Sequence, residues 1–151
     1  MRTFEGIAEL EAAVGTHLGY SGWHTVTQEQ IDTFADATGD HQWIHVDPDR
    51  AADGPFGTTI AHGYLTLSLV PALVAQVYRI EGLAMAVNYG ANKVRFPAPV
   101  PVGSRLRAGV EVRSVAPGGG GHLITNTVVI EREGGEKPVC VVETVTLAVA
   151  R

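Results

Sequence analysis

From residue 62 to 78 the chain carries Leu65, Leu67, Leu69, Val70, Leu73, Val74 and Val77. At a period of 3.6 these side chains spread round most of a helix and form no single stripe. A helix apolar on most faces cannot lie bare at a surface, so the rest of the chain has to wrap it. Pro71 falls inside the run, where it removes one backbone hydrogen bond and is expected to bend the helix. No segment approaches the ~18 consecutive apolar residues of a membrane span.

The wrapping material follows directly. Residues 85–96 read as extended. Leu106, Ala108, Val110 and Val112 alternate with Arg107, Gly109, Glu111 and Arg113, a period of two. Residues 124–130 are rich in Thr and Val, and residues 139–149 form a further such run. Gly118 to Gly121 and Gly134-Gly135 lie between these runs, where glycine suits hairpin connections. The expected architecture is α+β, a long apolar helix followed by an antiparallel meander. A curved sheet wrapped round the helix satisfies both patterns, as do other helix-on-sheet arrangements. At 151 residues, with no internal repeat and no linker, residues 1–151 are expected to form one domain.

The first half reads as helix and loop. Thr27-Gln28-Glu29-Gln30 has the capping-box pattern, and Ile31, Phe34 and Ala35 follow at helical spacing, predicting a helix over 27–37. Gly39 is placed to end it with a positive φ. Asp47-Pro48 reads as an N-cap with proline at the first helical position. The net charge is -5 and Lys and Arg are scattered, which argues against nucleic-acid or anionic-membrane partners. The one cysteine, Cys140, excludes an internal disulfide, and its apolar neighbours make it a buried structural thiol. Glu5, Glu9 and Glu11 interrupt the first fifteen residues, which argues against a signal peptide and leaves a cytoplasmic location as the expectation.

The chemistry concentrates in Thr38-Gly39-Asp40-His41-Gln42-Trp43-Ile44-His45-Val46-Asp47-Pro48. An aspartate and a histidine that meet on one water form an acid/base pair, and burial would raise the aspartate toward neutrality. Two readings of Asp40 and His45 stand side by side. They are such a pair, or Asp40 caps backbone amides while His45 packs in the core against a carbonyl. A second segment, Gly57 to Tyr64, leads into the apolar helix. A helix start presents unpaired N–H groups, and Gly63 there would let a polarised carbonyl oxygen approach the backbone. Gly63 would equally allow tight packing of helix on sheet.

Zinc is the competing chemistry, since His41 and His45 are four apart with Asp47 and His62 available. Ligation from that spacing wants both histidines on one helix face. Trp43-Ile44, flanked by Gly39 and Pro48, argues against a helix there, so no metal is expected. Ser68 and Ser104 lack a nucleophile-elbow context. The glycine runs match neither the Walker A loop nor the dinucleotide fingerprint.

Phe34 to His45, with Ala51 after it, resembles the signature of the MaoC-like dehydratases, the (R)-specific enoyl-CoA hydratases, through its Gly-Asp-x-x-x-x-His spacing. Ala61-His62-Gly63 and the Val94-Arg95-Phe96-x-x-Pro99-Val100 stretch are also similar, so the resemblance spans residues 25–105. Many members carry Asn-Pro where this chain has Gln42-Trp43, and that variant looks like the NodN-like branch. Trp43 is expected to add bulk near the pocket.

The resemblance implies a hot-dog fold, with the sheet wrapped round the 62–78 helix, and a homodimer. It implies that Asp40 and His45 are catalytic and hold a water, that the Gly63 amide binds the thioester carbonyl, and that His62 supports the loop. The implied substrate is a trans-2-enoyl-CoA, hydrated reversibly to the (3R)-3-hydroxyacyl-CoA, with no cofactor beyond that thioester. Hot-dog proteins also include acyl-CoA thioesterases, and a non-catalytic acyl-thioester-binding protein would share the fold.

Overall fold

A computed structural model describes residues 1–151. In chain order the elements are β1 (Arg2–Phe4), α1 (Ile7–Glu11), β2 (His17–Tyr20), β3 (His24–Thr25), α2 (Gln28–Thr38), α3 (Trp43–Val46), α4 (Pro48–Ala52), α5 (Gly63–Val77), β4 (Tyr78–Ile80), β5 (Leu83–Arg95), β6 (Arg105–Gly118), β7 (Gly121–Arg132) and β8 (Cys140–Ala150). The main sheet runs β2-β6-β7-β8-β5, with β3 also on β6, and all its pairings are antiparallel. β1 and β4 form a separate parallel pair.

The alternating positions face the core as their period dictates. Leu106, Ala108, Val110 and Val112 of β6 are buried, as are Ile124, Val128 and Ile130 of β7. They join Leu65, Val70, Leu73 and Val77 of α5 in one cluster of 23 buried residues. α5 packs on β2, β4, β6 and β8 and continues past Pro71, whose ring lies on the exposed side where no partner is crowded. The β6–β7 hairpin turns through Gly119 and Gly120, both at positive φ, as the glycine run suggests.

The short strands β1, β2 and β3 were not legible as strands: two to four residues carry too little periodicity. The wrapping of α5 is also one-sided. Tyr64, Ser68, Pro71 and Ala75 remain exposed along its outer face. β5 is the sheet edge and is exposed on nearly its whole length, with Met85, Val87 and Tyr89 at 53%, 43% and 61%. No helix is long and apolar enough to cross a membrane.

Leu106 is fully buried on β6 between β3 and β7, within the core cluster, so Leu106→Ala leaves a cavity there. The expected cost is about 2–5 kcal/mol of unfolding free energy. Urea unfolding followed by circular dichroism measures it, and a loss well under 1 kcal/mol would contradict this placement of the core.

Candidate active site

The site begins with a well-terminated helix. Thr27 caps α2, its Oγ1 accepting from Gln30 N at 3.1 Å. The capping box is only half made, because the Gln30 side chain bonds His24 at 2.9 Å and does not reach back to Thr27. α2 ends at Gly39 with φ 80, a left-handed turn that delivers Asp40 abruptly out of the helix. Asp40 Oδ1 then accepts from Gln42 N at 3.3 Å. Trp43–Val46 forms one helical turn, contrary to the expectation that this stretch avoids helix. Its caps are Gln42 and Asp47, so Gly39 ends α2 and Pro48 opens α4 without entering this turn. Asp47 caps α4 through Arg50 N at 3.0 Å, with Pro48 at the first position as expected.

The loop before α5 is stitched onto this stretch. Ile60 N donates to Ile44 O at 3.0 Å, and His45 Nδ1–H donates to Ile60 O at 2.7 Å. His62 Nε2–H donates to Asp40 O at 2.9 Å. On its other side Ala61 N donates to Val100 O at 2.8 Å. These contacts bring Asp40, His45 and His62 together, with one ligand-type atom from each lying within 4.8 Å of the others. Two hydrogen bonds of ~2.8 Å through a water span such a gap.

The bond to Ile60 sets the chemistry of His45. With Nδ1 carrying the hydrogen, Nε2 presents a lone pair. Burial pushes the His45 pKa below its ordinary 6.5, against the opposing effect of the Ile60 carbonyl, and the His62 ring pushes the same way as burial. His45 is therefore a neutral imidazole, 7% exposed, placed to accept a proton. Asp40, by contrast, is exposed, so burial does not act on its carboxyl in this chain.

His62 is 3% exposed and stacks on His45, ring centroids 3.9 Å apart and planes 25° from parallel, with Phe34 on it at 4.9 Å. Its bond to the Asp40 carbonyl makes it a tether of the loop. Gln28 is a further positioning group that sequence reasoning missed. Its Nε2 donates to His45 O at 2.8 Å and to Asp32 Oδ1 at 2.9 Å, while its Oε1 accepts from Thr59 Oγ1 at 2.6 Å. Nothing in a glutamine at a helix start signals such a role.

Gly63 opens α5. Its amide and that of Tyr64 make no backbone hydrogen bond, and His62 supplies no side-chain cap. A cavity of about 330 Å³ lies here, walled by His45, Ile60, Gly63, Thr66, Phe96 and Val100. A Cβ on Gly63 would stand 3.0 Å from the Phe96 ring, so the close packing and the free amide coexist at this residue.

Other candidates go elsewhere. His41 is exposed and bonds Asp36 at 2.9 Å, apart from the pair. Trp43 does not line the cavity: Arg50 lies 4.3 Å over its ring, and Gly54 leaves room for its edge. Cys140 is buried and its thiol is pushed up to about 11 by burial, which makes it inert. Asp40, His45 and His62 offer a metal-like donor set, but two nearly parallel rings 3.9 Å apart cannot both aim an in-plane lone pair at one ion ~2.0 Å from each nitrogen.

An antiparallel sheet curved over one long helix, with an Asp/His pair and a free helix-start amide at the helix's beginning, defines a hot-dog protein of the hydratase type. The family model for the MaoC like domain matches residues 9–133. The chain is 58% identical to 3-hydroxyacyl-thioester dehydratase Z of Mycobacterium tuberculosis, over 99% of this chain and 100% of that one. It is 43% identical to nodulation protein N of Rhizobium leguminosarum bv. viciae, over 93% and 89%. Among solved structures it resembles the unliganded R-hydratase PhaJ1 of Pseudomonas aeruginosa, with a TM-score of 0.77, 26% identity, and coverage of 98% and 88%. The chain belongs to the MaoC-like dehydratases, a family of hydro-lyases.

The lowered His45 pKa has a definite sign. The folded state binds this proton less readily than the unfolded one, so stability falls as pH drops through 6.5 toward the folded value. NMR titration of the His45 ring should give a midpoint below 6.5. A midpoint at or above that value would contradict the buried neutral imidazole.

Proposed function

We propose that the chain is an (R)-specific enoyl-CoA hydratase, adding water reversibly across trans-2-enoyl-CoA to give (3R)-3-hydroxyacyl-CoA. The observation that carries this reading is the grouping of the Asp40 carboxylate with His45, whose Nε2 lone pair is left free by the Nδ1 bond to Ile60, next to a cavity that the free Gly63 amide also lines. Both members of the pair accept hydrogen bonds. A water between them donates one hydrogen to each, which leaves its oxygen lone pairs facing outward.

The thioester carbonyl accepts from Gly63 N–H, drawing electron density from the double bond and exposing C3. The water oxygen bonds to C3 as His45 Nε2 takes its proton. The electron pair moves to C2 and the thioester oxygen, and C2 then receives a proton back from the pair. One O–H bond and the C2–C3 π bond break, one C–O and one C–H bond form, and the enzyme returns to its starting charge without a cofactor. Asp40 holds the second hydrogen of the water and offsets the transient imidazolium. The reverse path uses the same groups, so the dehydratase name of the 58% identical relative fits the same site.

The reading includes one hot-dog unit over residues 1–151, acting as a cytoplasmic homodimer. The exposed β5 edge, with Met85, Val87 and Tyr89, and the bare outer face of α5 support the dimer, since a long apolar edge is a template for pairing. Size-exclusion chromatography with light scattering should give twice the monomer mass. Val87→Asp is expected to shift the protein to monomer, and an unchanged mass would place the contact elsewhere.

Purified protein mixed with crotonyl-CoA should remove the enoyl-thioester absorbance, with a 3R product by chiral chromatography. Asp40→Asn and His45→Gln should each lower kcat about 10²–10⁴-fold while the fold is kept. Near-normal turnover by a folded Asp40→Asn protein would overturn the assignment. Release of free thiol would point to hydrolysis instead, and binding without turnover to an acyl-thioester-binding protein.

A further inference from the structure

Three hydroxyls sit within or at the end of helices close to the site, and two behave as helical hydroxyls ordinarily do. Thr38 Oγ1 donates to Phe34 O at 2.8 Å, and Ser68 Oγ donates to Tyr64 O at 2.7 Å, each bonding four residues back. Thr66 does not. Its residue is 1% exposed, and its Oγ1 is buried with no hydrogen-bond partner. The carbonyl it would use, His62 O, already accepts from Leu65 N at 3.1 Å and Thr66 N at 3.3 Å. A buried hydroxyl without a partner costs stability, so its retention calls for a partner that arrives from outside.

The position of Thr66 says what that partner is. It lines the same cavity as His45 and Gly63. It lies three residues after Gly63 on α5, hence on the same helix face one turn on. Side chains on a helix lean toward its N-terminus, so the Thr66 side chain covers the turn that begins with Gly63. An oxygen bound at the Gly63 amide is therefore approached from the helix start by an N–H and from the next turn by an O–H.

We propose that the Thr66 hydroxyl is the second hydrogen-bond donor to the thioester oxygen, forming with the Gly63 amide a two-donor oxyanion site. This rests on the hydratase reading above. The hydroxyl is a neutral donor, and its bond strengthens as negative charge moves onto the oxygen during addition at C3. It therefore acts on kcat more than on KM.

Thr66→Val keeps the shape and removes the hydroxyl, while Thr66→Ser keeps the hydroxyl and removes a methyl. With crotonyl-CoA, Thr66→Val is expected to lower kcat about 10²-fold with KM little changed. Thr66→Ser should stay within several-fold of the wild type. The urea midpoint of Thr66→Val should be equal to or above that of the wild type, because the unpaired group is gone. Wild-type kcat in Thr66→Val, or an effect confined to KM, would overturn the proposal; so would an equal loss in both variants with lowered midpoints, which marks a packing role. Wild-type protein inactive on every enoyl thioester would bring down the hydratase reading and this proposal together. An active wild type with an unaffected Thr66→Val would sink the second donor alone.

Discussion

The bond from His45 Nδ1–H to Ile60 O, 2.7 Å long and buried, is the contact on which the site depends. It chooses the tautomer, so the lone pair on Nε2 follows from a backbone carbonyl and needs no charged partner. It also joins two parts of the chain that fold for separate reasons, the helical turn Trp43–Val46 and the loop that starts α5. The reciprocal bond from Ile60 N to Ile44 O closes a small ring, which leaves the histidine little freedom to turn. Gln28 secures the same turn from outside by holding His45 O, with Thr59 holding Gln28. The imidazole is thus fixed before any substrate arrives.

The parts that local chemistry decides were readable from the sequence. The Thr27 cap, the left-handed Gly39 and the Asp47-Pro48 start each need only their immediate neighbours, and each stands where the residues indicate. The apolar run of α5 and the alternation in β6 and β7 are also local patterns, and together they imply a sheet over a helix. What distance along the chain conceals was not readable. Nothing near Phe96 announces that its ring closes on Gly63, and nothing near Gln28 announces His45. Trp43, whose bulk the sequence places near the pocket, has Arg50 over its ring face and Gly54 at its edge and does not line the cavity, contacts that its own neighbourhood in the sequence does not announce. The family resemblance supplied the pairing of Asp40 with His45, which spacing alone left open.

The chain presents bare apolar surfaces beside an enclosed core. Leu106, Val110 and Ile130 are wholly enclosed, while β5 and the outer face of α5 meet solvent with aromatic and aliphatic side chains. Asp40 shares that exposure, in contrast to the enclosed His45 and His62 only a water's width away. The pair is therefore asymmetric: one member has its surroundings settled within the chain, and the other faces outward.

The stack of His45 on His62 carries a consequence of its own. Two imidazoles face to face repel when both are protonated, and each lies where water screens poorly. The stack therefore disfavours positive charge on His45. A charge on His45 is opposed twice, by burial and by the ring it lies against, so one packing contact both orients the imidazole and keeps it neutral.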